Sequence, residues 1–193
     1  KGEKDKPEIV NSTIPLRFNL SHTKDMIVCA VTLNNDVGCD VENITRSNDV
    51  LKVAERYFSP FEIDALFSLP KEEQRNRFFD YWTLKEAYIK AWGLGLAIPL
   101  KDFSFDIFEQ EKTKEIGGNT LPFDCNQSID ITFASHRKDE PSLWQHWLFY
   151  PNNEHRLALS LRDKSKSRDE NSVAIKFIES IPMLKTEEKT TAN

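Results

Sequence analysis

Apolar positions recur with helical spacing from Val50 to Trp92 and alternate with polar ones in much of the chain on either side. Met26-Ile-Val-Cys-Ala-Val-Thr-Leu33 is an almost unbroken apolar run, which predicts a buried strand. Asn34-Asn35-Asp36 supplies turn chemistry and Val37-Gly-Cys-Asp-Val-Glu42 follows, so residues 26–42 predict a β-hairpin. Ahead of it, Phe18-Asn-Leu-Ser-His22 closes a short apolar element, and residues 1–16, with Pro7 and Pro15, read as an irregular entry.

Val50, Val53, Ala54, Tyr57 and Phe58 fall on one helix face behind a Ser47-Asn48-Asp49 cap. Ser59-Pro60-Phe61-Glu62 starts a second helix with the pattern of a capping box. A third begins near Pro70 and runs to Trp92, where Gly93 can adopt the left-handed stop. Beyond Gly95 a period of two takes over. Phe103, Phe105 and Ile107, then Ile129, Ile131 and Phe133, then Trp144–Tyr150 and Arg156–Leu161 predict strands of an antiparallel sheet. Gly117-Gly118-Asn119 and Pro151-Asn152-Asn153 are turns between them. Residues 162–193 are rich in Lys, Ser, Glu and Thr, with one apolar patch at Val173, Ile175, Phe177 and Ile178, and predict a largely disordered tail. The class is α+β.

Composition narrows the setting. With 39% hydrophobic and 11% aromatic residues the chain can fill a core, and a net charge of -5 disfavours polyanion binding by bulk charge. Cys29, Cys39 and Cys125 are odd in number without a CxxC pair, which fits a reducing compartment and predicts a cytosolic protein. No membrane-length apolar run or signal peptide is visible. The chain opens on Lys1 without methionine, so the expectation is a sequence incomplete at its N-terminus.

Two clusters carry candidate chemistry. Asp40 and Glu42 share a strand face about 7 Å apart, beside Gly38, which lets another group approach closely. Trp82, Glu86 and Lys90 line one helix face at i, i+4, i+8. Each has an ordinary reading, a solvated strand face in one case and a surface ion pair in the other. Together they make three carboxylates and an ammonium, which suits a hard, oxygen-seeking Mg²⁺ and phosphoryl transfer from a diphosphate. His22, next to Ser21, could add phosphate hydrogen bonds, although such a His can also merely close a strand end. A Mg²⁺-dependent nuclease would use similar groups.

The ordered set Phe18-Asn-Leu-Ser-His22, Val37-Gly-Cys-Asp-Val-Glu42 and Trp82-Thr-Leu-Lys-Glu-Ala-Tyr-Ile-Lys90, with Gly93-Leu-Gly-Leu96, resembles the signature of the 4′-phosphopantetheinyl transferases, most nearly their long, pseudo-dimeric Sfp type. The resemblance spans about residues 6–161. It implies two similar α+β halves about a pseudo-twofold axis, with coenzyme A and Mg²⁺ between them. Residues 1–36 would be the remainder of the N-terminal half and residues 37–161 the C-terminal half. It implies transfer of phosphopantetheine from coenzyme A to a serine of an apo acyl or peptidyl carrier protein, with release of 3′,5′-ADP, by a monomer without nucleic-acid or membrane partners.

By the same resemblance Asp40, Glu42 and Glu86 match metal ligands, Lys90 matches the catalytic lysine on the diphosphate, and Ser21 and His22 match residues on the coenzyme's phosphates. Lys6, before Pro7, matches a nucleotide contact, although Asp5 stands where the family usually has Gly. Glu62 matches a proposed general base, in competition with its capping role. Lys52 and Arg56 on the first helix are a candidate surface for an acidic carrier, or simply a solvated face. Several dozen residues that usually precede the Lys-Pro element are absent. Were Lys1 the true start, a coenzyme-binding module without activity would be the alternative.

Overall fold

The computed structural model describes residues 7, 9, 13–93, 98–108, 112–163, 173–180 and 187–188. Strands β1 (Leu16–Thr23) and β2 (Met26–Leu33) form an antiparallel ribbon, followed by β3 (Asp36–Asn43) and helices α1 (Val50–Tyr57), α2 (Pro60–Ser68) and α3 (Lys71–Trp92). Then come β4 (Phe103–Ile107), β5 (Thr113–Ile116), β6 (Asn119–Asn126), β7 (Ile129–Phe133), β8 (Trp144–Asn152) and β9 (His155–Arg162). The main sheet has the order β3-β9-β8-β6-β5 and is antiparallel throughout, while β4 pairs with β7 apart from it. The fold is α+β, as expected, and the described residues build one such unit.

The helices begin and end where their caps predict. Asp49 accepts from the Lys52 backbone N–H, Ser59 and Glu62 close the capping box with Pro60 at the first position, and Gly93 ends α3 at φ 69°. The hairpin is the main correction. Residues 26–42 do not pair with one another: β2 pairs with β1, and β3 pairs with β9. The reversal falls at Lys24-Asp25, where Asp25 takes a positive φ of 64° that its short polar side chain tolerates. Nor is β2 buried on both faces. It alternates half-buried and exposed, with Ile27 76% exposed, because the ribbon lies at the sheet's margin and only one of its faces meets the core.

That ribbon runs along the free edge of β3 and is stitched to it by side chains. Asn19 Oδ1, Ser21 Oγ and Thr23 Oγ1 accept from the backbone N–H of Cys39, Val41 and Asn43 at 2.9, 3.2 and 3.2 Å. Every second residue from Asn19 to Thr23 thus satisfies an edge donor that would otherwise be orphaned. The two faces of β3 go separate ways. Val37, Cys39 and Val41 join one core cluster with Leu157, Leu161, Trp147 and Phe149, over which Val173, Ile175 and Phe177 of the expected tail also pack. The even positions, Gly38, Asp40 and Glu42, face α3.

Candidate active site

Two helix residues and one glycine decide where the site forms. A Cβ placed on Gly38 would lie 2.1 Å from the Ala87 carbonyl oxygen and 2.3 Å from the Ala91 backbone nitrogen. The last two turns of α3 therefore rest directly on β3, a distance that only glycine permits. The facing positions on β9, Ala158 and Ser160, are small and fully buried, which lets the helix settle across both strands. Glu86 and Lys90, flanking that crossing on α3, are thereby held beside Asp40.

Lys90 Nζ lies 2.6 Å from Asp40 Oδ1 and 3.0 Å from Ser21 Oγ, and Ser21 Oγ donates to the same carboxylate oxygen at 3.0 Å. Asp40 is 5% exposed, so burial pushes its carboxyl up and the Lys90 ammonium opposes that. Glu42 is gripped on both oxygens: Trp82 Nε1 donates to Oε1 at 3.0 Å and Arg46 pairs with Oε2 at 3.0 Å. The guanidinium groups of Arg46 and Arg75 each lie over the Phe79 ring, and Arg75 clamps the carbonyls of Ile44, Arg46 and Asn48 in the loop after β3. Glu86 is pushed up to about 7, first by burial and then by the charges of Asp40 and Glu42, with Lys90 opposing.

The three carboxylates share one face but do not close on a point. Among the described residues no group of three or more His, Cys, Asp or Glu side chains is arranged to hold a metal ion. Lys90 pairs with Asp40 and Arg46 with Glu42, which turns those two carboxylates to separate cations. Two observations nevertheless fit a hard cation. Asp40 Oδ2 is buried with no hydrogen-bond partner among the described residues, and Glu86 carries the mutual repulsion of three acids that one ammonium does not offset. Those two carboxylates are the ones with oxygen to offer.

The other candidates fall elsewhere. His22 is exposed on the opposite face of the ribbon from Ser21, across from Ile27, and is not brought into this group. Lys6 lies outside the described residues. Lys52 pairs with Asp49 at 3.0 Å on an exposed face, and Arg56 lies over Tyr57.

Glu62 requires a correction. It is fully buried, its Oε2 takes the Ser59 N–H at 3.0 Å, the Ser59 hydroxyl at 2.9 Å and the Lys85 ammonium at 2.8 Å, and its Oε1 takes the Phe105 N–H at 3.0 Å. A base needs an oxygen within reach of a substrate proton, and this carboxylate is fully buried with both oxygens already engaged. Lys85, within the helix motif but assigned no role from sequence, is equally buried and also donates to the carbonyls of Leu100 and Phe103 at 2.7 Å each. Burial pushes its ammonium down and Glu62 opposes that. Lys85→Met should cost about 3–5 kcal/mol in urea unfolding by stranding the Glu62 charge. A loss under about 1 kcal/mol would contradict the pairing.

The comparisons with known proteins agree on one family. The family model of the 4′-phosphopantetheinyl transferase superfamily matches residues 36–160. The 4′-phosphopantetheinyl transferase HetI of Nostoc sp. (strain PCC 7120) is 45% identical over 82 residues, 42% of this chain and 35% of that protein. The 4′-phosphopantetheinyl transferase gsp of Aneurinibacillus migulanus is 36% identical over 123 residues, 60% of this chain and 49% of that protein. The 4′-phosphopantetheinyl transferase Sfp of Bacillus subtilis (strain 168) is 37% identical over 87 residues, 45% of this chain and 38% of that protein. The chain thus spans between a third and a half of the length of these relatives.

Proposed function

The chain belongs to the 4′-phosphopantetheinyl transferase superfamily, and on that premise we propose that it transfers 4′-phosphopantetheine from coenzyme A to a serine of an apo acyl or peptidyl carrier protein, with Mg²⁺ as cofactor. The observation that carries the reading is the meeting of Asp40, Glu86 and Lys90 where α3 crosses β3 at Gly38. The carrier serine oxygen attacks the β-phosphorus of the coenzyme, the bond from that phosphorus to the bridging oxygen breaks, and 3′,5′-ADP leaves with the freed phosphate oxygen able to take up the serine proton.

Asp40 Oδ2 and Glu86, with Glu42 once Arg46 yields, would hold the metal. When bound, Mg²⁺ would neutralise and orient the diphosphate oxygens. Lys90 is half-exposed at the same point and can move from Asp40 to a phosphate oxygen, meeting the charge that builds on the departing phosphate of 3′,5′-ADP as the diphosphate splits. Ser21 fixes the Asp40 oxygen that Lys90 leaves. Glu62 is not available to take the serine proton. The protein is proposed to act in the cytosol as a monomer, on coenzyme A and a carrier, without nucleic-acid or membrane partners. No helix among the described residues is long and apolar enough to cross a membrane.

The test is the mass of apo carrier proteins after incubation with the protein, coenzyme A and Mg²⁺. A carrier should gain one phosphopantetheine arm only when all are present. No gain on any carrier, with nicking of plasmid DNA that needs Mg²⁺ and ignores coenzyme A, would replace this reading with a nuclease.

The raised Glu86 carboxyl makes metal binding pH-dependent. Below its folded value of about 7 the metal-free protein carries a proton there that the cation must displace. Mg²⁺ affinity should therefore rise by about tenfold per pH unit below pH 7 and level off above it, with about one proton released in the lower range. Stability of the metal-free protein runs the other way. The unfolded carboxyl titrates near 4.5, so the contribution of this group is fully present below that pH and is lost as pH rises through 7. Calorimetry in buffers of different ionisation heat counts the protons, and an affinity flat from pH 5.5 to 8 would contradict the assignment.

A further inference from the structure

Away from the acidic group, the loop between β7 and β8 sends one carboxylate into an aromatic cluster. The side chain of Asp139 is 1% exposed. Its Oδ2 accepts from Tyr88 Oη at 2.7 Å, Trp144 Nε1 at 3.1 Å and Trp92 Nε1 at 3.2 Å. Its Oδ1 accepts from the Glu140 N–H at 3.0 Å and lies 3.8 Å from Arg162, whose guanidinium covers the Trp92 ring. Arg137 donates to the Tyr88 hydroxyl at 3.0 Å, so that hydroxyl spends its own proton on Asp139.

Tyr88 and Trp92 stand at i and i+4 on α3, two residues beyond Glu86 and Lys90 respectively. Two residues on a helix is a rotation of about 200°, so the two pairs look in nearly opposite directions. The last two turns of α3 are thereby held on two faces about 100° apart, by Gly38 of β3 under Ala87 and Ala91 and by Asp139 on Tyr88 and Trp92. Packing alone would let the helix slide or roll along an apolar cluster. A buried charge that demands three directed donors does not, and this directional demand is the best-attested use of buried polar groups, which otherwise add little net stability.

We propose that Asp139 is a positioning residue: through Tyr88 and Trp92 it fixes the rotation and axial place of the end of α3, and so sets Glu86 and Lys90 against Asp40. The inference rests on the reading of the acidic group as a metal and diphosphate site. Misplacement of such groups by about 1 Å is enough to cost two orders of magnitude in rate.

Asp139→Asn keeps the shape but removes the charge that holds three donors. Mn²⁺ affinity, read by electron paramagnetic resonance without coenzyme or turnover, should fall about tenfold, and kcat should fall about 30-fold with KM for the carrier unchanged. Tyr88→Phe should reproduce part of the loss, and adding it to Asp139→Asn should make little further difference. Leu121→Ala, a cavity in the core cluster on the face of β3 that points away from α3, controls for lost stability and should leave Mn²⁺ affinity unchanged at temperatures well below its melting point. Wild-type Mn²⁺ affinity in Asp139→Asn, or an equal loss in Leu121→Ala, would overturn the inference alone. A wild-type protein that binds no Mn²⁺ would overturn the site reading and this inference with it.

Discussion

Glu86→Gln should lower the proposed Mg²⁺-dependent phosphopantetheine transfer by about 10³-fold while leaving the metal-free protein more stable at pH 8 than the wild type. The rate loss follows from removing one of the two carboxylates with oxygen to offer a cation, where electrostatic groups aimed at a transferring phosphoryl are commonly worth about 10²–10³ in rate. The gain in stability follows from the same environment. Burial and the charges of Asp40 and Glu42 push the Glu86 carboxyl up to about 7, so its ionised form strains the metal-free fold above that pH. Glutamine keeps the volume and drops the charge. The opposite signs separate a functional carboxylate from a surface ion pair: were Glu86 only the partner of Lys90, its loss would leave transfer intact and stability unchanged or slightly lower. Thermal unfolding at pH 8 and the carrier mass assay measure the two halves.

Gly38→Ala should be the most damaging small substitution in the sheet. The added methyl would sit 2.1 Å from the Ala87 carbonyl oxygen and 2.3 Å from the Ala91 nitrogen, and both obstacles are backbone atoms of a helix that cannot rotate aside. α3 must lift off β3 or the strand must bend. Overpacking of this kind costs about 3 kcal/mol, at the upper end of what cores show, because relief requires moving a whole element. Urea unfolding should show that loss, and the surviving folded protein should bind Mn²⁺ weakly, since lifting the helix parts Glu86 and Lys90 from Asp40. A variant within about 0.5 kcal/mol of wild type would mean that the crossing is looser than described.

Much of this was legible from residues alone. Capping chemistry at Asp49, Ser59 and Gly93 located the helix boundaries because those residues act within one turn of themselves, the first two through a side-chain oxygen and the third through its backbone. Alternation placed Asp40 and Glu42 on one face of β3, and the glycine beside them announced a close neighbour. The partner of β2 was not legible. An apolar run followed by a turn and an alternating run suits a hairpin, but the positive φ at Asp25 closes the ribbon one element earlier, and β3 finds its partner in β9 at the other end of the domain.

Glu62 shows the same limit at the site. Its capping box is local and was readable, while Lys85 and the Phe105 N–H, which engage its carboxylate from outside the helix, arrive from α3 and β4. Arg46 stands four residues from Glu42, a spacing that could have suggested their pairing in advance. The Asp139 cluster draws on three separate elements, and no spacing in the sequence announces it.

The most direct test of the account is the position of Mn²⁺ in crystals of the protein grown with coenzyme A, located by anomalous scattering. The account predicts one ion in contact with Asp40 Oδ2 and Glu86, with Lys90 turned from Asp40 to the coenzyme's diphosphate. An ion bound elsewhere, or coenzyme A seated in the protein while Lys90 still holds Asp40 and no ion touches Glu86, would contradict it.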